Sequence, residues 1–303
     1  MAVVLVATDT GVVPFVDGAP GPPELDGRAV RHLARERDGW WAIVDASTVV
    51  RRDSVGVWID VVTAAVDLTC LLPRPDGAWC GTRDGHLLRL LGDRLTPVAG
   101  FDAVGGRDTW HAVPSGEPYV RSLTVTADNR ALLAGVHVGG VPRSGNGGAS
   151  WKPTIDVEAD VHQVLADPVD PRLVLSPAGH GLAVSRDAGV TWTIATDGLH
   201  ATYCRAVACT TDAALVSASD GPRGGRSALY RWDIMNGGPL TKVEDGLPEW
   251  LDGNVDTGML DAHRETAAFA DAGGTVSVSA DGGRSFAKLA SDLGPVHAVG
   301  VNA

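Results

Sequence analysis

A seven-bladed, all-β propeller is the fold this sequence predicts, and three observations predict it. One eight-residue turn pattern occurs three times at blade-like spacing. A strand–turn–strand unit recurs between those copies. Seven short segments align as the first strand of a repeat, and the last of them lies at the C-terminus.

The turn pattern is Ser144-Gly-Asn146-Gly-Gly148-Ala-Ser150-Trp151, then Ser185-Arg-Asp187-Ala-Gly189-Val-Thr191-Trp192, then Ser279-Ala-Asp281-Gly-Gly283-Arg-Ser285-Phe286. In general form it reads S-x-D/N-x-G-x-S/T-W/F. The Asp or Asn is expected to bond backbone two residues on, and the glycine to take the φ > 0 position that follows. The aromatic then packs under the turn as a new strand begins. From Ser144 to Ser185 is 41 residues and from Ser185 to Ser279 is 94, close to one and two blades.

The second unit is two strands with a hairpin turn, at 6–16, 80–90, 135–145, 175–185 and 269–279. It reads as the second and third strands of a blade, which puts the eight-residue turns between third and fourth strands. The innermost strands align at 30–36, 68–74, 120–126, 161–167, 204–210, 256–262 and 296–302. The N-terminus begins with a second strand, so one blade takes strands from both ends of the chain. That closure removes free sheet edges. Residues 1–303 are read as one propeller domain.

The eight-residue pattern resembles the Asp-box (BNR) repeat of sialidase-like propellers, a superfamily with photosystem II assembly factor-like members. The resemblance implies the fold, and in such families the box stands far from any ligand site. It also implies a comparison with the sialidase site, where a tyrosine nucleophile works with a carboxylate and an arginine triad. Tyr119-Val-Arg121 and Tyr203-Cys-Arg205 match that pairing of Tyr with Arg. An Arg-Ile-Pro segment and a glutamate beside either tyrosine in the repeat map are both missing. Sialidase-like glycoside hydrolysis is therefore the lesser reading, and a non-catalytic scaffold propeller is the main rival to a small-molecule site.

Composition agrees with the repeat. Gly 38 and Pro 18 punctuate many turns, and no segment has a helix-like 3.6 period. The net charge of −12 and the lack of a basic run argue against nucleic acid and anionic membranes. No apolar run approaches the 18 or so residues of a membrane span. The first residues lack a charged region and a cleavage site and are read as a strand of the mature protein. Cys70, Cys80, Cys204 and Cys209 form no CxxC and are expected as free thiols, hence a cytoplasmic location.

The second residue of each inner strand is Arg31, Thr69, Arg121, His162, Arg205, Thr257 or His297. Polar side chains at one height of all seven strands make a ring at the channel mouth. Its arginines suit a carboxylate or phosphate ligand; the alternative is pairing with Asp67, Asp160 and Asp256. His137 and His180 fall at second-to-third-strand turns beside His162. These three imidazoles are the expected metal ligands, for Zn or Mn, with His162, His137 and Tyr203 as the catalytic candidates. Arg31, Arg121, Arg205 and Tyr119 are the expected contacts of an anionic small molecule. Trp110 and His111 on the long loop 104–118, and Trp250 on the loop 246–254, are expected to cover it, with the equal alternative that Trp110 and Trp250 plug gaps between blades.

Overall fold

The computed structural model describes residues 2–36, 39–111, 116–155 and 159–303, in seven four-stranded antiparallel sheets. Blade one joins Val296–Asn302, as its inner strand, to Val3–Thr8, Gly11–Val16 and Ala19–Pro20. Blades two to seven follow in chain order, each running from inner to outer strand. The inner strands are Val30–Glu36, Leu68–Arg74, Val120–Val125, Leu165–Ala166, Tyr203–Cys209 and Leu260–His263. The sequence register therefore holds, with blades five and seven starting their ladders later than expected. A four-residue helix, Ala99–Asp102, and the 3-10 turn Arg107–Thr109 interrupt the all-β pattern between blades three and four.

The core is a ring of apolar layers between neighbouring blades. The layer joining blades three and four holds Trp79, Leu87, Phe101, Trp110, Val120 and Trp151, all buried. Alternation along the strands feeds one face of each blade into the layer before it and one into the layer after it. The four cysteines are free and buried within these layers, and burial raises the thiols of Cys70 and Cys204 to about 12.

The three eight-residue turns join third to fourth strands and share one geometry. Ser185 Oγ donates to Asp187 Oδ1 at 2.8 Å and accepts the Gly189 N–H at 2.8 Å. Asp187 Oδ1 accepts the Thr191 N–H at 2.8 Å, and Oδ2 accepts the Thr191 hydroxyl at 2.6 Å. Asp281 repeats these bonds with Ser279 and Ser285. Asn146 takes the same backbone bond from Ser150. The acceptor thus reaches three and four residues on, not two as expected, and Asp187 is exposed.

The glycine of each turn docks on the blade before it. A Cβ on Gly148 would lie 2.2 Å from the Trp79 ring, one on Gly189 2.3 Å from Leu133, and one on Gly283 2.4 Å from Leu215. All three residues also have φ between 77° and 86°, so an L side chain is strained there twice over. Arg143 and Arg231 of the preceding blades donate to the carbonyls of Ala188 and Gly282. These turns clamp blade to blade.

Asp187→Ala is expected to cost about 1–2 kcal/mol, a fall of a few degrees in Tm by calorimetry at pH 7. Hydrogen bonds from Thr191 and Ser185 outweigh desolvation and hold the Asp187 carboxyl down at about 2. An unfolded Asp titrates near 3.9, so its contribution is complete above about pH 4 and lost as pH falls toward 2. The gap between wild type and Asp187→Ala should close over that window.

Candidate functional site

Each ring position sits where its strand breaks register. In blades one, two, three, four and six the ladder slips by one residue at His297, Arg31, Thr69, Arg121 and Arg205. In blade five His162 stands between the bridge Val161↔Ala178 and the ladder that starts at Leu165, and in blade seven Thr257 precedes the ladder. A bulge leaves one residue unpaired and re-aims its side chain, and here the side chains reach across the channel. Thr257 of blade seven donates to the His162 carbonyl of blade five at 2.7 Å.

The guanidinium groups expected to grip a ligand already hold a carboxylate of the protein. Arg121 Nη2 lies 2.6 Å from Asp256 Oδ1, and Arg205 Nη1 3.2 Å from Asp256 Oδ2. Arg121 is buried, and its Nη1 donates to the Tyr119 hydroxyl at 2.9 Å. Burial raises the Asp256 carboxyl, but the two guanidinium charges outweigh it and leave Asp256 below the usual carboxylate range. Arg31 pairs with Asp9 at 2.8 Å, and His297 shares that Asp9 oxygen. The expectation of a free arginine ring is corrected: Asp256 and Asp9 are its resident anions.

Beside this pair stand two histidines and a carboxylate. His137, Asp160 and His162 offer ligand atoms within 4.8 Å of one another. His137 sits in the second-to-third-strand turn of blade four, tied to the inner strand by its N–H to the Tyr119 carbonyl at 3.1 Å. Asp160 enters blade five, its carbonyl accepting the Gly179 N–H at 2.9 Å. A Cβ at Gly179 would come within 3.2 Å of Asp160, so glycine lets the turn close over that residue. His162 is fully buried, with Nδ1 2.6 Å from the Cys204 carbonyl and Nε2 3.1 Å from the Tyr203 hydroxyl.

Asp160 Oδ2 lies 3.3 Å from His162 Nε2, and Oδ1 lies 2.9 Å from His137 Nε2. Oδ1 nonetheless lacks an aligned hydrogen bond, as does the buried His137 Nδ1. Burial works to raise the Asp160 carboxyl, but the two imidazoles hold it far below its ordinary range. Burial lowers His162, and nearby Arg121 adds to this against the pull of Asp160. Burial and the Asp160 charge raise the Tyr203 phenol.

The trio expected from sequence is thus altered. His180 is exposed on the blade-five turn and lies outside the group, and Asp160 takes the third place. Sequence reasoning had Asp160 as a pairing partner for the arginines, not as a ligand. Its signal was position, two residues before His162 at the strand's approach. Trp110 is buried against Phe101, in the cluster that also holds Trp151, and fills the blade-three/four layer instead of covering a ligand. His111 turns its Nδ1 to the Thr109 carbonyl, and residues 112–115 of that loop lie outside the described residues. Trp250 packs on His200 at 4.8 Å, with Lys242 Nζ 3.8 Å from its ring centre, in a separate cluster on blade six.

Among solved structures the chain is similar to a computationally designed protein, Ika8, at 15% identity and TM-score 0.60, over 94% of this chain and 82% of that one. It is also similar to the GH74 xyloglucanase from Xanthomonas campestris, at 17% identity and TM-score 0.60 over 88% of this chain and 47% of that one. An ancestral GH74 enzyme gives 14% identity and TM-score 0.61, over 90% and 38%. The chain spans less than half the length of either GH74 protein, and at these identities the likeness is one of fold. No family model and no curated protein matches the chain.

Asp256→Asn leaves two guanidinium groups facing each other without their anion. The variant should lose about 2–4 kcal/mol. Sulfate, an oxyanion able to take the vacated place, should restore more Tm to the variant than it adds to wild type. Equal sulfate response in thermal melts of both proteins would contradict the clamp.

Proposed function

We propose that this propeller binds one divalent transition-metal ion, of the Zn or Mn class, through His137, Asp160 and His162, and uses it on a small anionic molecule at the channel mouth. One observation carries the reading. His162 Nδ1 faces a main-chain carbonyl at 2.6 Å, so it bears the proton, and Nε2 turns its lone pair toward Asp160 Oδ2 at 3.3 Å. The Tyr203 hydroxyl has one proton to give, to Nε2 or to Asp160, so a lone pair and a carboxylate set this close favour a cation between them. Burial and Arg121 oppose a proton there. A metal ion would satisfy His162 Nε2 and the Asp160 carboxylate, whose Oδ1 lacks a hydrogen bond, together, and histidine fixed by a carbonyl through its other nitrogen is the usual support of a metal ligand.

Charge counting supports an anionic ligand. With the imidazoles neutral, Arg121 and Arg205 balance Asp160 and Asp256. A divalent ion makes the half-buried site doubly positive, and an oxyanion compensates it. Tyr203, kept protonated and 3.1 Å from His162 Nε2, is placed to hold a proton for a leaving group, with Tyr119 opposite it across the group. Metal-assisted hydrolysis or elimination fits these groups better than glycosyl transfer to tyrosine. The repeated Ser–Asp/Asn turn supports grouping the chain with Asp-box propellers, and its buried free thiols support a cytoplasmic location.

A second reading, a scaffold without chemistry, is favoured by one surface. The outer edge of blade two exposes Val55 at 82%, Val57 at 53% and Ile59 at 57%.

Calorimetric titration with Zn²⁺ and Mn²⁺ tests the leading reading. Wild type should bind about one equivalent, and His162→Ala and Asp160→Ala should each weaken it by at least about 100-fold. Equal weak binding in all three proteins would remove the metal and leave the scaffold.

A further inference from the structure

Beside the metal group the channel mouth opens a cavity of about 230 Å³. Arg31 and His32 of blade two, Asp67, Thr69 and Arg83 around blade three, and Tyr119 with Arg121 of blade four contribute to its walls. The blade-four wall abuts the metal donors, since the Tyr119 ring stands 5.1 Å from the His137 ring. The polar capacity of most of the lining is already used. Arg121 is committed to Asp256 and Tyr119, Arg31 to Asp9, and the Thr69 hydroxyl to the Val120 carbonyl. His32 is neutral, pushed down to about 4 by burial.

Arg83 differs. Its Nε stands 3.7 Å from Asp67 Oδ2, too far for a hydrogen bond. Among the described residues its guanidinium makes none, and the side chain is 66% exposed. Its five-donor fork, loosely ion-paired with Asp67 and otherwise open to solvent, lines the same cavity as Tyr119. The cavity lies below the roughly 300 Å³ at which sites for drug-sized ligands begin, so its occupant has few heavy atoms.

Resting on the metal reading above, we infer that this cavity takes a short molecule with two separated anionic ends, of the short-chain dicarboxylate class. One end faces the metal donors past Tyr119. The other is held by the Arg83 fork, which matches a carboxylate in two-point geometry.

Succinate, glutarate and the monoacid butyrate are the probes, titrated calorimetrically into the Mn²⁺-loaded protein. A diacid should bind at least about tenfold tighter than butyrate, a difference of about 1.4 kcal/mol. Arg83→Ala should bring the diacid down to the level of butyrate while Mn²⁺ affinity and Tm stay as in wild type. The diacid advantage should shrink as salt rises, since Arg83 is exposed. Equal affinity for diacid and monoacid, or a diacid affinity indifferent to Arg83→Ala, overturns the inference and leaves the metal reading standing. Diacid binding that needs Arg83 but is the same with and without Mn²⁺ retains the Arg83 end and overturns the metal end.

Discussion

Closure of the ring by the two chain ends is the constraint on which the rest depends. Val3–Thr8 pairs with Val296–Asn302 from Val3↔Asn302 to Thr8↔Val296, so the last strand becomes the inner strand of the first blade. That strand is held from both sides. Arg35 of blade two donates to the Val301 carbonyl, and Asp261 of blade seven accepts the Val301 N–H at 2.8 Å. Gly300 admits the Trp40 ring of blade two, where a Cβ would come within 2.4 Å of it. Only a closed ring brings Asp256 and Thr257 of blade seven against Arg121 of blade four and His162 of blade five, which are far apart in the chain.

Within the closed ring, register slips do the aiming. A regular ladder would send alternate residues into the apolar layers on either side of a blade. A bulge at the second residue of the inner strand, in five of the blades, and a late start of the ladder in blades five and seven free one polar side chain per blade for the channel. The result is a polar centre inside a protein whose net charge is −12. Its guanidinium groups are balanced locally by Asp256 and Asp9, so the field at the mouth depends on whether a cation joins His137, Asp160 and His162. Proton inventory and metal occupancy are then one question at this site.

The turns that make the repeat visible lie elsewhere. Their Ser, Asp and Gly residues serve contacts between third and fourth strands and with the preceding blade, through Trp79, Leu133 and Leu215. They hold the scaffold that positions the ring, and their substitution is a matter of stability. The same division explains why the solved structures, at 14–17% identity, share the architecture with this chain. Strand alternation and turn chemistry can be kept while every channel-facing side chain changes.

The blade number, the shared blade and the inner-strand register were legible from local periodicity, because each turn's bonds lie within five residues of chain. The position of the polar ring was legible for the same reason: one residue recurs at one height of each repeat. What those side chains do was not legible. Asp256 reads as an isolated acid before a strand, yet it anchors two arginines from other blades. By position His180, and not Asp160, read as the third ligand. The hairpin turn leaves His180 in solvent, whereas the close approach allowed by Gly179 holds Asp160 against His137 and His162. Trp110 and Trp250 read as loop aromatics, and packing of a neighbouring layer claimed them. Local hydrogen bonding and alternation set the repeat, whereas pairings across the channel and over the closing seam arise only after closure, from residues as many as 266 positions apart.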